Sequence, residues 1–184
     1  LPPFTAPDAL LPQLRERGYA VLAPQDVAAL CGVELGVLET LKPSWEDLQP
    51  DRYLKDGGSY RKRRHACFDA LKGGQSWYVE AHQFRIDTAD GIGRPTPEGA
   101  HRDGVDLVAV LLVGRHGIRG GETRVFAAAG PDGQRFTLTE PWTLILLDDA
   151  RVIHESTPIQ PLQDYGYRDT LVLTYRAGNF QGDE

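Results

Sequence analysis

The sequence lacks the features of a membrane or secreted protein. Its longest uninterrupted apolar run, Leu107 to Val113, has seven residues, whereas a transmembrane helix needs about 20. The first four residues have neither the basic start nor the apolar core of a secretory signal. Two cysteines, Cys31 and Cys67, are too few for a disulfide scaffold, and neither lies in a Cys-x-x-Cys spacing. We therefore expect a cytoplasmic protein with reduced thiols.

The sequence also has no excess of positively charged residues. The 184 residues contain 20 Lys and Arg against 26 Asp and Glu, which gives a formal net charge of -6. This balance argues against nucleic acids and anionic membranes as partners. No exposed apolar stripe stands out that would indicate an oligomer. The 20 Gly and 13 Pro exceed average usage, which suits a fold of many short strands joined by turns.

The order of patterns along the chain predicts a single domain over residues 1–184. Helical patterns dominate about residues 1–60, where Gly18 ends a first helix and a second lies between Asp26 and Pro43. Strands with turn signals follow over about residues 76–180. Helices followed by many short strands predict a mainly β sandwich or barrel with N-terminal helical support.

Two histidines and an aspartate give the strongest indication of chemistry. His101 and Asp103 are two residues apart, so in a strand their side chains project to the same face. His154, from a distant strand, would complete a two-His, one-carboxylate face on a metal. Such a face leaves three adjacent positions open, as non-haem Fe(II) oxygenases require. The other three histidines have the simpler interpretation of hydrogen-bonded structural residues: His65, His82 and His116.

A cation and a hydroxyl group follow downstream. Arg168 and Thr170 would supply a fixed cation and a donor for the far carboxylate of a 2-oxo diacid that chelates the metal. The alternative for Arg168 is a salt bridge to a nearby acid such as Asp169 or Asp164. The pair Asp148-Asp149 is interpreted as a turn with solvated carboxylates.

Four motifs together resemble a known enzyme family. They are Pro97-Glu98-Gly99-Ala100-His101-Arg102-Asp103-Gly104-Val105-Asp106, Gly120-Gly121-Glu122-Thr123, Leu147-Asp148-Asp149-x-x-Val152-x-His154 and Tyr167-Arg168-Asp169-Thr170. The set is similar to that of the Fe(II)/2-oxoglutarate dioxygenases of the bacterial L-isoleucine hydroxylase type, a group that includes the biofilm and stress protein BsmA. The resemblance runs from about Tyr19 to Tyr175.

The resemblance implies a fold, a set of cofactors and a reaction. The fold is a double-stranded β-helix, the cupin-like jelly roll. His101, Asp103 and His154 are the catalytic residues that hold Fe(II), and Arg168 with Thr170 binds the 5-carboxylate of 2-oxoglutarate. Dioxygen is the second cosubstrate, and ascorbate supports activity. The reaction is hydroxylation of a free aliphatic L-amino acid, or sulfoxidation of a thioether one, with release of succinate and carbon dioxide.

An amino-acid substrate needs partners for its carboxylate and its ammonium group. The basic segment Tyr60–His65 is either a solvated loop or helix end, or one of its arginines grips the carboxylate: Arg61, Arg63 or Arg64. Arg85 is a rival for that role. Glu122 is a candidate for the ammonium group, with a structural role in a hairpin as the alternative.

Three other functions stay open at this point. The first is a dioxygenase of this kind that acts on a peptide side chain or another metabolite. The second is a jelly-roll stress or biofilm protein that binds metal without turnover, although the intact metal and Arg motifs weigh against it. A hydrolytic zinc enzyme is the third, because two His and a carboxylate also suit zinc, but it leaves Arg168 and Thr170 unexplained.

Overall fold

The N-terminal part of the chain is helical with one early strand. The structure is a computed structural model that describes residues 1–180. Three α-helices are present, with 3-10 helices at Pro7–Ala9 and Lys42–Trp45: α1 Leu10–Arg17, α2 Pro24–Cys31 and α3 Leu35–Glu39. Gly18 ends α1 at φ 77° and Gly32 ends α2 at φ 68°, a left-handed conformation that glycine adopts without strain. Gly32 therefore divides the single helix predicted between Asp26 and Pro43.

Residues 1–180 contain twelve strands, of which β1 lies among the helices and the others follow them. Their bounds are β1 Tyr19–Leu22, β2 Gln49–Pro50, β3 Arg61–Lys72, β4 Gln75–Asp87, β5 Leu107–His116, β6 Ile118–Gly120, β7 Glu122–Ala127, β8 Gly133–Thr137, β9 Leu144–Asp148, β10 Val152–Ser156, β11 Ile159–Pro161 and β12 Tyr167–Ala177. A seven-stranded sheet has the order β1-β9-β5-β12-β4-β3-β2, a three-stranded sheet the order β10-β7-β8, and β11 pairs with β6. The pairings between these strands are antiparallel. The predicted jelly roll with N-terminal helices is confirmed.

The basic segment at residues 60–65 differs from the expectation of a loop or helix end. It begins β3, which pairs with β4 over its whole length, from Arg61 opposite Ile86 to Lys72 opposite Gln75. Consecutive basic residues show no alternation of polar and apolar positions, so the strand period is hidden in the sequence. The long strands consequently begin at residue 61, earlier than the sequence pattern indicated.

The central strands β5 and β9 are buried on both faces. Leu111 packs with Trp45 in the cluster beneath the helices. Leu112, on the other face of β5, packs with Val125 of β7 in the cluster between the two larger sheets. The apolar run Leu107 to Val113 thus lies in a central strand that is covered on both faces. Within residues 1–180 no helix exceeds eight residues, well short of what crossing a bilayer requires.

Candidate active site

A short backbone bridge brings the two predicted histidine ligands together. His101 lies in the loop before β5 of the seven-stranded sheet, whereas His154 lies within β10 of the three-stranded sheet. Each donates its backbone N–H to the carbonyl oxygen of the other at 3.0 Å. The ring centroids are 4.7 Å apart as a result. His101 forms only this isolated bridge, and Asp103 lies in a loop rather than two residues along a strand as predicted.

The carboxylate of Asp149 fixes the loop that carries Asp103. Asp149 Oδ1 accepts a hydrogen bond from the backbone N–H of Asp103 at 3.0 Å. Its Oδ2 accepts from the N–H groups of Gly104 at 2.7 Å and Val105 at 3.1 Å. The prediction of solvated turn carboxylates fits Asp148, which accepts from the N–H of Ala150, but it is wrong for Asp149, which is 1% exposed. Asp149 positions the loop and does not face the site.

The three predicted ligands have the spacing of a metal centre. Asp103 Oδ2 is 3.0 Å from His154 Nε2, and Asp103 Oδ1 is 3.6 Å from His101 Nε2. One donor atom of each side chain lies within 4.8 Å of the others. Ligand atoms about 2.1 Å from a shared ion are roughly 3 Å apart when they are adjacent. His101 Nδ1 donates to the carbonyl oxygen of Gly99 at 2.9 Å, which leaves the Nε2 lone pair for a metal.

The three side chains also perturb one another's protonation. The hydrogen bond to Asp103 raises the pKa of His101 to about 9, against the opposing effect of burial. Burial acts to raise the pKa of Asp103, but hydrogen bonds with His101 and His154 outweigh it and hold that pKa below its ordinary value. A metal ion at this centre therefore competes with a proton for His101.

A cavity of about 160 Å³ adjoins the triad. Arg168 and Thr170 of β12 line it together with the triad. Apolar side chains complete much of the wall, among them Val108, Val110 and Val172. This volume is below the range of about 300–1,000 Å³ that is usual for ligand pockets, and the lining combines charged and apolar side chains.

Arg168 is a buried cation without a carboxylate partner. It is 4% exposed, and in the part of the chain that the structure describes its Nε has no hydrogen-bond partner and its guanidinium forms no salt bridge. Burial, with a contribution from Arg115, lowers the pKa of Arg168 to about 10, so the group stays charged at neutral pH. A buried charge is costly unless an anion compensates it. The site therefore fits a ligand carboxylate.

Arg115 is a second cation beside Arg168, and the sequence patterns did not indicate it as a site residue. It lies directly opposite Arg168 in the pairing of β5 with β12. Arg115 Nη2 donates to the carbonyl oxygen of Gly120 at 2.8 Å, whereas its buried Nη1 has no hydrogen-bond partner among residues 1–180. A Cβ at Gly121 would lie 3.2 Å from Arg115 Nη1 and 3.6 Å from Arg168 Cδ. Glycine at 121 therefore leaves room beside both guanidinium groups.

Arg85 and Asp169 form an ion pair on the other side of the sheet. Arg85 donates to both oxygens of Asp169, at 2.8 and 2.7 Å, and to both oxygens of Glu46, at 3.0 and 2.8 Å. These hydrogen bonds, with that to Asp169 the largest cause, raise the pKa of Arg85. Asp169 thus pairs with Arg85 rather than with Arg168, and the structure does not bring Arg85 to the cavity.

Arg61 is the one predicted substrate residue that lines the cavity. Its Nε donates to Asp51 Oδ2 at 2.6 Å. Its guanidinium carbon lies 5.5 Å from the centre of the Phe84 ring, which also lines the cavity. No hydrogen bond from the two Nη groups of Arg61 to any residue in the range 1–180 is found. A ligand in the cavity can use them.

The remaining three predicted substrate residues do not line the cavity: Arg63, Arg64 and Glu122. Arg64 follows Arg61 on β3 by three residues and so faces the opposite side, where it donates to the carbonyl oxygen of Ser44 and to Gln83 Oε1. Glu122 accepts a hydrogen bond from Arg124 Nε at 2.9 Å and does not line the cavity. Its contacts fit the structural role in the hairpin.

Comparisons with known proteins agree with this geometry. Residues 67–174 match the 2OG-Fe dioxygenase family. A BsmA homolog from Methylobium petroleophilum PM1 is 43% identical, with a TM-score of 0.92 over 98% of this chain and 97% of that one. IDO from Bacillus thuringiensis is 14% identical, with a TM-score of 0.77 over 95% and 100% of the chains. The Fe(II)/α-ketoglutarate-dependent dioxygenase TqaL is 16% identical, with a TM-score of 0.74 over 96% and 88%. Curated protein sequences gave no significant match.

The chain belongs to the 2-oxoglutarate and Fe(II)-dependent dioxygenase family, and its strong similarity to the BsmA homolog marks it as the BsmA type. The family resemblance seen in the sequence is confirmed. This class of oxidoreductase uses Fe(II), 2-oxoglutarate and O2, and the His-Asp-His centre is the part of this chain suited to the iron. The structures below 20% identity support the jelly-roll fold alone.

Replacing Asp149 tests its role in positioning the metal centre. Asp149→Asn keeps the size of the side chain but exchanges one acceptor oxygen for an NH2 group that faces backbone donors. We expect a fall in Fe(II) affinity of about 10–100-fold, the usual effect of losing a partner that orients a metal ligand. Anaerobic titration calorimetry measures it, with Asp148→Asn as the matched control. Equal affinities for the two variants would contradict the assignment.

Proposed function

We propose that this dioxygenase acts on a small substrate, a free aliphatic L-amino acid, which it hydroxylates, or sulfoxidises where the side chain is a thioether. The observation that carries the proposal is the lining of the cavity. Arg61, whose Nε alone has a hydrogen-bond partner among the described residues, lies there with apolar side chains beside the His-Asp-His centre. A carboxylate next to an aliphatic chain complements such a surface. The prediction of a cytoplasmic location belongs to the same proposal.

In this proposal His101, Asp103 and His154 hold the iron. Their donor atoms converge within 4.8 Å, and the hydrogen bond from His101 to Gly99 sets the tautomer that metal binding needs. Two imidazoles and a carboxylate leave open positions on the ion, which suit a chelating cosubstrate and dioxygen. Bound iron with 2-oxoglutarate and O2 supplies the oxidation, in which the cosubstrate loses carbon dioxide to give succinate and one oxygen atom enters the substrate.

Arg168 and Thr170 bind the distal carboxylate of 2-oxoglutarate in the same proposal. The two side chains lie on one face of β12, opposite Ile86 and Phe84 of β4. The buried guanidinium of Arg168, which lacks an acid partner among residues 1–180, gains its compensating charge from the cosubstrate. Trp45 holds this part of β12 by donating its indole N–H to the carbonyl oxygen of Thr170 at 3.2 Å.

Arg61 orients the substrate. Asp51 engages only its Nε, so the side chain is held in place while both Nη groups can donate to a carboxylate. The adjacent Phe84 ring and the valines of the cavity contact the aliphatic part and exclude water from the reacting carbon. The substrate carbon is thereby directed toward the metal centre, and the carboxylate is kept away from it.

A substrate screen tests the proposal as a whole. Protein loaded with Fe(II) under anaerobic conditions is mixed with 2-oxoglutarate, O2 and single free L-amino acids, and succinate is measured. We expect stimulation by an aliphatic or thioether amino acid and its loss in Asp103→Ala, which removes the carboxylate ligand. Slow turnover that no amino acid stimulates would contradict the assignment of a free amino acid as the substrate and would favour a peptide or another metabolite as the substrate. An iron-loaded protein that forms no succinate at all would support a binding protein without turnover.

A pair of arginine variants tests the substrate contact separately. Arg61→Leu should raise the KM for the stimulating amino acid about 10–100-fold, because a hydrogen-bonded charge pair contributes roughly 1.5–3 kcal/mol. The KM for 2-oxoglutarate should stay unchanged. Arg64→Leu is the matched control, since it removes the same charge from the opposite face of β3. Indistinguishable kinetics for the two variants would rule out Arg61 as the carboxylate partner.

A further inference from the structure

A second group of metal-binding side chains lies on the β3–β4 hairpin. His65 and Cys67 alternate along β3, and Glu80 and His82 alternate along β4. The strand register places His65 opposite His82 and Cys67 opposite Glu80. Because residues two apart share a face and cross-strand partners lie side by side, all four side chains project from the same side of the hairpin.

Three of these side chains already converge on one point. Glu80 Oε2 is 3.2 Å from His65 Nε2 and 3.6 Å from His82 Nε2, and the three donor atoms lie within 4.8 Å of one another. The spacings match those within the His101, Asp103 and His154 centre, which are 3.0 and 3.6 Å. Donor atoms about 2.0–2.3 Å from a tetrahedral ion are roughly 3.3–3.8 Å apart.

The two imidazole rings lie face to face in this group. They stack with their centroids 4.5 Å apart and their planes 16° from parallel. His82 stacks in turn on Phe84, with centroids 5.6 Å apart and planes 4° from parallel. The side chain of His82 is 14% exposed and that of His65 is 34% exposed. Lone pairs in the planes of two near-parallel rings do not meet at one ion, so the ring of His65, which solvent reaches, tilts when both rings bind the same ion.

A thiol lies beside these three side chains. Cys67 is exposed, and its Sγ lies 3.3 Å from His65 Nε2, which is the separation expected for two adjacent ligands. A rotation of the Cys67 side chain brings the sulfur toward Glu80, its cross-strand neighbour. Two imidazoles, one carboxylate and one thiolate form a closed tetrahedral set that suits Zn²⁺ better than the open set proposed for iron.

Arg63 competes with an ion for His82. Its Nη2 lies 3.3 Å from His82 Nδ1, where it donates and leaves the imidazole proton on Nε2. Binding through Nε2 moves that proton to Nδ1, so Arg63 must turn away. The ring of Tyr53, 5.4 Å from the Arg63 guanidinium carbon, offers the alternative contact.

We propose that His65, Cys67, Glu80 and His82 form a structural Zn²⁺ site, separate from the iron centre, that clamps β3 to β4. The clamp lies on the sheet face that lines the cavity, because Phe84 and Ile86 follow His82 on that side of β4. A bound ion fixes the spacing of the two strands that carry Arg61 and Phe84. The hairpin beyond the clamp carries the exposed Phe68 and Leu71, so little packing holds it otherwise.

Metal stoichiometry tests the second site without any assay of turnover. The full chain is stripped with a chelator, incubated with Zn²⁺, passed through a desalting column and analysed for zinc by mass spectrometry. We expect two ions per chain in the native protein, one in His65→Ala, one in Asp103→Ala and none in the double variant. His116→Ala, a histidine outside both groups, is the matched control and should retain two. A native protein with one ion, lost in Asp103→Ala and kept in His65→Ala, overturns the proposal.

Cobalt spectroscopy tests the ligand set itself. Co²⁺ bound to Asp103→Ala should show the intense visible bands of a tetrahedral ion and a thiolate-to-cobalt charge-transfer band in the near ultraviolet. Cys67→Ser in that background should lose the charge-transfer band, and Glu80→Gln should weaken binding while the protein stays folded by circular dichroism. A cobalt spectrum that shows no charge-transfer band, or that is unchanged by Cys67→Ser, overturns the four-ligand site.

Discussion

Reciprocal backbone hydrogen bonds between His101 and His154 hold the loop before β5 against β10, at the point where the three candidate metal ligands converge. Neither residue alone defines the centre, because His101 precedes a strand of the seven-stranded sheet and His154 belongs to the three-stranded sheet. The bridge sets the distance between the two rings, and the buried carboxylate of Asp149 then fixes the loop that supplies Asp103. The ligand geometry thus depends on backbone contacts that the protein makes without an ion.

The strand β12 divides its charges between two faces of the sheet. Asp169 points away from the cavity and is neutralised by Arg85, which Glu46 holds in turn. Arg168, one residue earlier, faces the cavity and is left with an excess of positive charge beside Arg115. Because Asp169 pairs with Arg85 on the opposite face, it does not neutralise Arg168, which is why we propose a ligand carboxylate as the partner of Arg168. Alternation along a single strand therefore separates a structural ion pair from a ligand site.

The sequence predicted the parts of the site that follow from residue type and order. The two histidines, Asp103 and the Arg168-x-Thr170 pair stand in motifs, and Gly18 ends a helix where a glycine stop was expected. The double burial of β5 follows from its continuous apolar run.

The contacts that the sequence did not predict depend on which residues of distant strands pair with each other, and a single sequence does not contain this information. Asp149 contacts a loop 46 residues away, and Arg115 meets Arg168 only because β5 pairs with β12. His65 and His82, interpreted as separate structural residues, stand side by side only in the pairing of β3 with β4. The strand β3 itself was hidden, because its first four residues are all basic and show no alternation.

The measurement that tests the account most directly is an anaerobic absorption titration of the Fe(II)-loaded protein with 2-oxoglutarate. Chelation of Fe(II) by the 2-oxo acid produces a visible charge-transfer band, so the band reports cosubstrate bound at the metal. The account predicts a band that saturates at one 2-oxoglutarate per chain, is absent in Asp103→Ala, and needs at least about tenfold more 2-oxoglutarate in Arg168→Lys, which keeps the charge but loses the planar fork. A band unaffected by the Arg168 substitution, or no band in the native protein, would contradict the assignment of this cavity to iron and 2-oxoglutarate.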